Sequence, residues 1–233
     1  MIYNEDCLDV LRRTPKLHYN MLFADPPDNL GLAYDNYQDN LPDSTYYAKF
    51  EQWLLWSLHT ARVVWFSYYW KHDLEVKYLV RSILRNVYPT FTAKTFIWRY
   101  TFGQYQQTDC ASGYRYLLRL RYAGTPIYPE SIMVPSRRNE LGDPRGNPEG
   151  RVPDDVWDFP RVVGNSPERQ NWHPTQHPMA LVARVMKLST VPGDKVIDLF
   201  GGTGTVAKVA KALGRECDTC EISPVYCEKI KEI

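Results

Sequence analysis

The chain has 233 residues, of which 44% are hydrophobic and 24% charged. This composition, together with the lack of any long apolar run, excludes a disordered chain, a fibrous chain and a membrane span. The formal net charge of +1 excludes a uniformly basic nucleic-acid binder. An odd number of cysteines and a start without a secretory signal predict a cytoplasmic protein with reduced thiols.

The first half of the chain predicts strands that alternate with helices. An apolar run at 19–24 predicts a buried strand, which Asp25-Pro26-Pro27 ends because prolines cannot continue a sheet ladder. Further predicted elements are a helix at 45–60 capped by Asp43 or Ser44, a strand at 63–69, a helix at 74–84, and strands at 94–102 and 114–122. This order predicts an α/β fold with a mostly parallel sheet and one antiparallel edge strand.

Basic residues are concentrated in the middle of the chain. Between Arg62 and Tyr122 lie ten basic and three acidic residues, a local excess of seven positive charges. This excess fits either solvated helix faces or a side of the protein that faces a polyanion.

Residues 124–171 interrupt the alternation of strands and helices. They contain eight prolines and show no sustained helical or strand period. Trp157, Phe159 and several arginines within this segment favour an ordered insertion for recognition over a flexible linker. The segment therefore divides the chain into a first part at 1–123, a recognition-type insertion at 124–171 and a last part at 172–233.

A glycine-rich loop dominates the last part of the chain. After a helix at 179–188, the predicted strand 195–200 leads into Asp198-Leu-Phe-Gly-Gly-Thr-Gly-Thr205 and a helix that Gly214 ends. A strand at 215–221 follows, and Glu221 at its end could bind two ribose hydroxyls. The glycine spacing leaves a nicotinamide oxidoreductase as one reading. Asp198 opposes it, because a carboxylate there repels a pyrophosphate and suits a cationic amino acid or sulfonium group.

Two of these stretches, taken together, resemble a known family. Asp25-Pro26-Pro27 after an apolar strand and the loop from Asp198 to Thr205 resemble the signature motifs of DNA amino-methyltransferases that use S-adenosylmethionine. His173-Pro-Thr-Gln-His-Pro178 and Asn4-Glu-Asp-Cys-Leu-Asp-Val-Leu11 are similar to two further stretches of the family. The order of the motifs is that of the family's circularly permuted β group, which implies a catalytic half at 1–123, then the recognition-type insertion, then a cofactor-binding half at 172–233.

The resemblance implies a Rossmann-like sheet, a DNA substrate, a flipped target base and S-adenosylmethionine as cofactor. It implies a catalytic role for the tetrapeptide Asp25, Pro26, Pro27 and Asp28. The cofactor-binding residues that it implies are Asp6, Cys7, His173, Thr175, Asp198, Phe200, Gly201, Gly202, Gly204, Thr205 and Glu221. Adenine N6 is preferred over cytosine N4 because the tetrapeptide begins with aspartate. A restriction partner, a homodimer and an accessory recognition subunit all remain open.

One position departs from the family pattern. The tetrapeptide usually ends in an aromatic residue that stacks on the flipped base, whereas this chain has Asp28. Three explanations remain open: Tyr34, Tyr37 or Trp172 stacks instead; the Asp28 carboxylate accepts from a donor edge of the substrate; or the protein binds cofactor and recognises DNA without methylating it.

The chain offers no strong metal-binding motif. Cys217 and Cys220 are three residues apart in a predicted strand, so they should point to opposite faces and should not chelate one ion. No metal is therefore expected to take part in the reaction.

Overall fold

The computed structural model describes residues 1–100 and 107–232. The strands of this part of the chain are β1 (Ile2–Tyr3), β2 (Tyr19–Ala24), β3 (Ala61–Tyr68), β4 (Phe91–Arg99), β5 (Tyr114–Tyr122), β6 (Val156–Asp158), β7 (Lys195–Asp198) and β8 (Glu216–Cys220). The α-helices are α1 (Cys7–Arg13), α2 (Asp43–Thr60), α3 (Asp73–Asn86), α4 (Arg137–Glu140), α5 (Met179–Ser189), α6 (Thr205–Ala212) and α7 (Pro224–Lys231).

All these strands belong to one sheet with the order β1-β8-β7-β2-β3-β5-β4-β6. The five neighbouring strands β1, β8, β7, β2 and β3 are mutually parallel, and β4 and β6 are parallel to each other. The predicted α/β class with a mostly parallel sheet is confirmed.

The predicted position of the antiparallel strand is wrong. β5 runs antiparallel to both β3 and β4, and it lies inside the sheet rather than at its edge. The reason is that β5 inserts between β3 and β4, so that β4 lies outside it and runs parallel to β3. β6, from the segment 124–171, pairs with β4 through Ile97 and Val156 and forms the edge.

Two other predictions differ in detail. Helix α2 begins at Asp43, and neither Asp43 nor Ser44 caps it; the carbonyl of Pro42 accepts from the amides of Thr45 and Tyr46 at 2.9 and 3.0 Å instead. Strand β4 begins at Phe91, which pairs with Tyr122, rather than at residue 94. The predicted end of that strand at residue 102 lies outside the described residues.

The sheet is covered on both faces. Alternate residues point to opposite sides of a strand, so Leu22, Val64 and Phe66 pack with α1, α2 and α3 on one face. Phe23 and Trp65 point to the other face, where they pack with α5 and α6. The two cysteines Cys220 and Cys217 belong to these two different clusters, which keeps their sulfur atoms on opposite sides of β8. None of the described helices has both the length and the apolar character needed to cross a membrane.

The segment 124–171 is anchored to the sheet by Trp157. Its ring is 1% exposed and lies 4.9 Å from the ring of Phe96 and 6.0 Å from that of Trp65. Its indole N–H donates to the carbonyl of Asp154 at 2.7 Å. This edge of the sheet is thus held by an aromatic side chain that the insertion supplies.

We expect Trp157→Ala to lower the free energy of unfolding by about 3–5 kcal/mol, because it removes a large buried aromatic group. Denaturant unfolding followed by circular dichroism measures this change. Val156→Ala is the matched control. Val156 precedes Trp157 on β6 and is 42% exposed, so its substitution should change the free energy of unfolding by no more than about 0.5 kcal/mol. Equal effects of the two substitutions would contradict the anchoring role of Trp157.

Candidate active site

The tetrapeptide at 25–28 and the glycine loop leave the sheet side by side. β2 and β7 are parallel neighbours, with Phe23 opposite Asp198, and the amide of Leu199 donates to the carbonyl of Phe23 at 3.0 Å. Both chains therefore emerge at the carboxyl edge of the sheet, where open α/β folds bind ligands. Between them lies a cavity of about 360 Å³.

Most of the sequence-predicted site residues line this one cavity. They are Asp6, Cys7, Asp25, Pro27, His173, Thr175, Asp198, Phe200, Gly201, Gly202, Thr205 and Glu221. Pro26, Asp28 and Gly204 do not belong to the lining of the described cavity. The two turns, far apart in sequence, thus bound one space.

The glycine loop passes close to its neighbours. A Cβ on Gly201 would lie 2.7 Å from the Thr219 methyl group and 3.3 Å from the Cys220 carbonyl oxygen, so a larger residue would displace the loop. Gly202 has φ +48°, and its amide donates to the Glu221 carboxylate at 2.8 Å. The loop geometry therefore depends on these two glycines.

Carboxylates dominate the charge of the cavity. Its described lining includes Glu5, Asp6, Asp25, Asp198 and Glu221, against one lysine, Lys49. Burial raises the pKa of Asp198 well above its usual range, and the charges of Glu221 and Asp25 raise it further. Burial also raises the pKa of Glu221, although backbone amides partly compensate by donating to its oxygens. Such a surface attracts a cation and repels a pyrophosphate, which opposes the nicotinamide alternative.

The loop that follows the tetrapeptide is built around Asp39. The buried carboxylate of this residue accepts from the amides of Asn29, Leu30 and Leu32 at 2.8, 3.1 and 3.0 Å. The tip of the loop reaches the far side of the cavity, where the Ser223 hydroxyl donates to Asp35 at 2.6 Å. These contacts hold the loop over the cavity.

Two of the three aromatic residues considered for base stacking line the cavity. Tyr34 and Tyr37 do so, and the Tyr34 ring lies 5.7 Å from that of His173. Trp172 lies outside the cavity lining and packs at 5.4 Å against the ring of Tyr226.

Asp25 is held from behind by two side chains. Its carboxylate accepts from Arg115 Nη2 at 2.9 Å and lies 3.2 Å from His177 Nδ1. The Asp28 carboxylate faces the same arginine, and it accepts from Arg115 Nη2 and from the Tyr69 amide, each at 3.1 Å. Asp28 is thus engaged within the protein, which argues against its accepting a hydrogen bond from a substrate base.

Sequence reasoning did not single out Arg115 as a site residue. It was counted only in the basic excess of 62–122, for which a solvated or polyanion-facing position was expected. Its side chain is instead 13% exposed and paired with two carboxylates. The one available signal was Asp28 itself, since a buried carboxylate needs a partner, but the sequence does not say which base supplies it.

The comparisons with known proteins identify the class. A family model described as DNA methylase matches residues 19–232, and the chain belongs to this family. The predicted DNA amino-methyltransferase class and the predicted cofactor, S-adenosylmethionine, are thereby confirmed.

Individual relatives agree with this assignment. The chain is 31% identical to the DNA adenine methyltransferase YhdJ of Escherichia coli, over 97% of this chain and 79% of that protein. Its fold is similar to that of the PvuII DNA methyltransferase, which is cytosine-N4-specific, with a TM-score of 0.71 at 16% identity, over 99% of this chain and 84% of that one. It is also similar to the M1.HpyAVI–SAM complex, with a TM-score of 0.66 at 16% identity, over 100% and 97% of the two chains.

We expect Asp198→Asn to stabilise the ligand-free protein while weakening its binding of S-adenosylmethionine. The native pKa of Asp198 lies above its unfolded value, so ionisation of this group opposes folding at high pH. The melting temperature of the variant should therefore exceed that of the parent above the native pKa, and the difference should shrink as the pH falls.

Calorimetry should show at least a ~10-fold loss of affinity, about 1.4 kcal/mol, because a negative charge next to a cationic ligand is lost. Glu216→Gln, at an exposed site on β8, is the control and should change neither quantity. A less stable variant with unchanged affinity would contradict the electrostatic account.

Proposed function

We propose that this protein transfers a methyl group to the exocyclic amino group of a flipped base in DNA, with adenine N6 preferred over cytosine N4. The observation that carries the proposal is the shared cavity. The Asp25 carboxylate lines the same acidic space as the glycine loop, so an amino group held by Asp25 lies next to whatever the loop binds.

The lining residues fit S-adenosylmethionine. When bound, this cofactor supplies an electrophilic methyl group on a sulfonium centre. Asp198 favours the positive charge of the ligand, and Glu221 holds its ribose hydroxyls. His173 and Thr175 would bound its methionine end, and Asp6 and Cys7 would lie towards the adenine. Gly201 lets the glycine loop pack closely against β8, because any side chain there would meet Thr219.

The acceptor side provides a carboxylate for the target amino group. An exocyclic amino nitrogen is a poor nucleophile because its lone pair is delocalised into the ring. The Asp25 carboxylate, which lines the cavity, accepts from one N–H of this group, and the carbonyl of Pro26, a residue outside the described cavity lining, would accept from the other. Both contacts localise the lone pair towards the methyl donor. Pro26 and Pro27 fix the direction of that carbonyl.

Tyr34 takes over the stacking role that Asp28 does not perform. A flipped base costs a few kcal/mol of lost stacking and pairing, and an aromatic ring in the pocket recovers part of it. Tyr34 lies on the loop that spans the cavity and lines it together with Asp25.

DNA recognition falls to the segment 124–171. It is joined to the sheet through β6, and its arginines include the exposed Arg138 and Arg145. Because the segment is short, either the recognition sequence is short, or a second copy of the chain or an accessory subunit completes the recognition surface.

The preference for adenine rests on the first residue of the tetrapeptide, Asp25, and on the likeness to YhdJ, a DNA adenine methyltransferase by name. A second candidate is a cofactor-binding protein that recognises DNA without methylating it. It is favoured by Asp28, which is paired with Arg115 where a stacking aromatic is usual.

We expect Asp25→Asn to abolish methyl transfer to DNA and to leave the affinity for S-adenosylmethionine within about twofold, because the amide loses the charge that polarises the amino group. Transfer of labelled methyl groups, followed by nucleoside mass spectrometry, measures the rate and identifies the methylated base.

Asp9→Asn, which changes an aspartate whose side chain is 61% exposed, is the control and should retain full activity. Full transfer by Asp25→Asn would remove Asp25 from the mechanism. A parent protein that binds cofactor and DNA without transfer would support the second candidate, and N4-methylcytosine as the main product would reverse the base preference.

We expect Tyr34→Ala to weaken the flipped state by ~5- to 100-fold, in line with about 1–3 kcal/mol per stacked base. Tyr34→Phe keeps the ring and should retain the parent value. The fluorescence of 2-aminopurine placed at the target position reports the flipped fraction. An equal loss in both variants would show that the hydroxyl, not the ring, contributes.

A further inference from the structure

Three side chains surround the back of the Asp25 carboxylate. Arg115 Nη2 donates to one oxygen of Asp25 at 2.9 Å, and Arg115 Nε donates to Ser67 Oγ at 3.0 Å. His177 Nε2 shares a hydrogen bond with Ser67 Oγ at 3.2 Å, and His177 Nδ1 lies in close contact with the other oxygen of Asp25, at 3.2 Å.

The hydrogen bonds of Ser67 connect Arg115 to His177. Ser67 Oγ accepts from Arg115, so its own proton is free to be donated to His177 Nε2. Burial lowers the pKa of His177, which keeps the imidazole neutral. Among these side chains Arg115 therefore makes the hydrogen bond to Asp25, and the carboxylate keeps lone pairs for the cavity.

The charge of Arg115 is shared with Asp28. Besides its bond to Asp25, the guanidinium contacts both oxygens of Asp28. The Asp28 carboxylate accepts from the Tyr69 amide at 3.1 Å, and the main-chain carbonyl oxygen of Asp28 lies 2.8 Å from His72 Nε2. One cation therefore faces two anions, and the group as a whole keeps one negative charge. A neutral residue at position 28 would leave Asp25 and Arg115 as a neutral pair.

We propose that Arg115 is a positioning residue that orients the Asp25 carboxylate, and that Asp28 is the counter-ion that prevents Arg115 from neutralising it. This inference rests on the proposed function, in which Asp25 accepts from the target amino group. It explains why the tetrapeptide ends in a carboxylate: the fourth residue tunes the acceptor, and the stacking ring comes from elsewhere.

Other titratable and charged groups also act on Asp25. They are Asp198 from the β7 end, His173, Tyr34 and Tyr100. Burial lowers the pKa of His173 and raises the pKa of Tyr100 to about 12, so both are neutral near pH 7. The substitutions below leave all four residues unchanged, so the changes in rate that these substitutions cause belong to Arg115 and Asp28.

The test compares Arg115→Gln, Asp28→Asn, Arg115→Lys and the double variant Arg115→Gln/Asp28→Asn in the full-length protein. Methyl-transfer assays give kcat and KM for DNA, and calorimetry gives the affinity for S-adenosylmethionine. Each single substitution leaves one charge of the Arg115–Asp28 pair uncompensated beside Asp25, so each should lower kcat about tenfold with KM unchanged.

The double variant should lose far less kcat than the product of the two single losses, because it removes one charge of each sign. Arg115→Lys keeps the charge but cannot reach both carboxylates and Ser67, so kcat should fall ~10-fold with KM unchanged. Arg119→Gln is the matched control: Arg119 lies on β5 on the same side as Arg115, but its guanidinium lies over the rings of Trp65 and Phe96. It should leave both kcat and KM at the parent values.

The outcomes separate the two proposals. If Asp25→Asn transfers methyl groups at the parent rate, the proposed function fails, whatever the other variants show. If Asp25→Asn is inactive but Arg115→Gln, Arg115→Lys and Asp28→Asn keep the parent kcat, or the double variant loses as much as the product of the single losses, the roles of Arg115 and Asp28 are overturned and the proposed function stands. Melting temperatures identify a variant that does not fold, in which case the kcat and KM of Arg115→Lys decide the question.

Discussion

The parallel pairing of β2 with β7 is the constraint on which the site depends. Its register places Phe23 opposite Asp198, so the chain turns into the tetrapeptide and into the glycine loop at the same edge. A shift by one residue would reverse the facing of every side chain on the strand, and the two buried faces of the sheet forbid it. Packing on both sides of β2 therefore stabilises the fold and also sets the distance between the Asp25 carboxylate and the glycine loop.

Around this junction the protein gathers carboxylates that folding alone would not favour. Asp198 is 3% exposed and has no cationic partner among its described hydrogen bonds, and Glu221 is stabilised only by amides. A buried charge without a counter-ion costs free energy. A cationic ligand supplies the missing charge. The carboxylates without a counter-ion therefore favour the binding of a sulfonium compound and also destabilise the protein when no such ligand is bound.

The sequence predicted the elements that local patterns control. The apolar run before Asp25, the strand Tyr114–Tyr122 and the helix after the glycine loop were found because hydrophobic periodicity and glycine placement are local signals. The edge position of the antiparallel strand was wrong because β5 pairs with β3 as well as with β4, and strand order depends on long-range pairing that no local pattern reports. β6 was not predicted because a three-residue strand in a proline-rich segment is too short to show a period. Arg115 was missed for a similar reason: its partners are 87 and 90 residues away in sequence, and no local pattern reports such a pair.

The departure at position 28 shows how one substitution can divide a role between two places. In the usual tetrapeptide, as the family resemblance implies, the fourth residue contributes a ring to the pocket. Here that residue faces inward, towards Arg115 on β5 and the amide of Tyr69, while the rings that line the cavity, Tyr34 and Tyr37, come from the loop that Asp39 organises. A carboxylate at position 28 is acceptable only because β5 presents a base to it, and that base would oppose the charge of Asp25 if Asp28 were neutral. Asp28 and Arg115 are therefore best understood as one unit, in which neither residue can be exchanged without changing the acceptor that both adjoin.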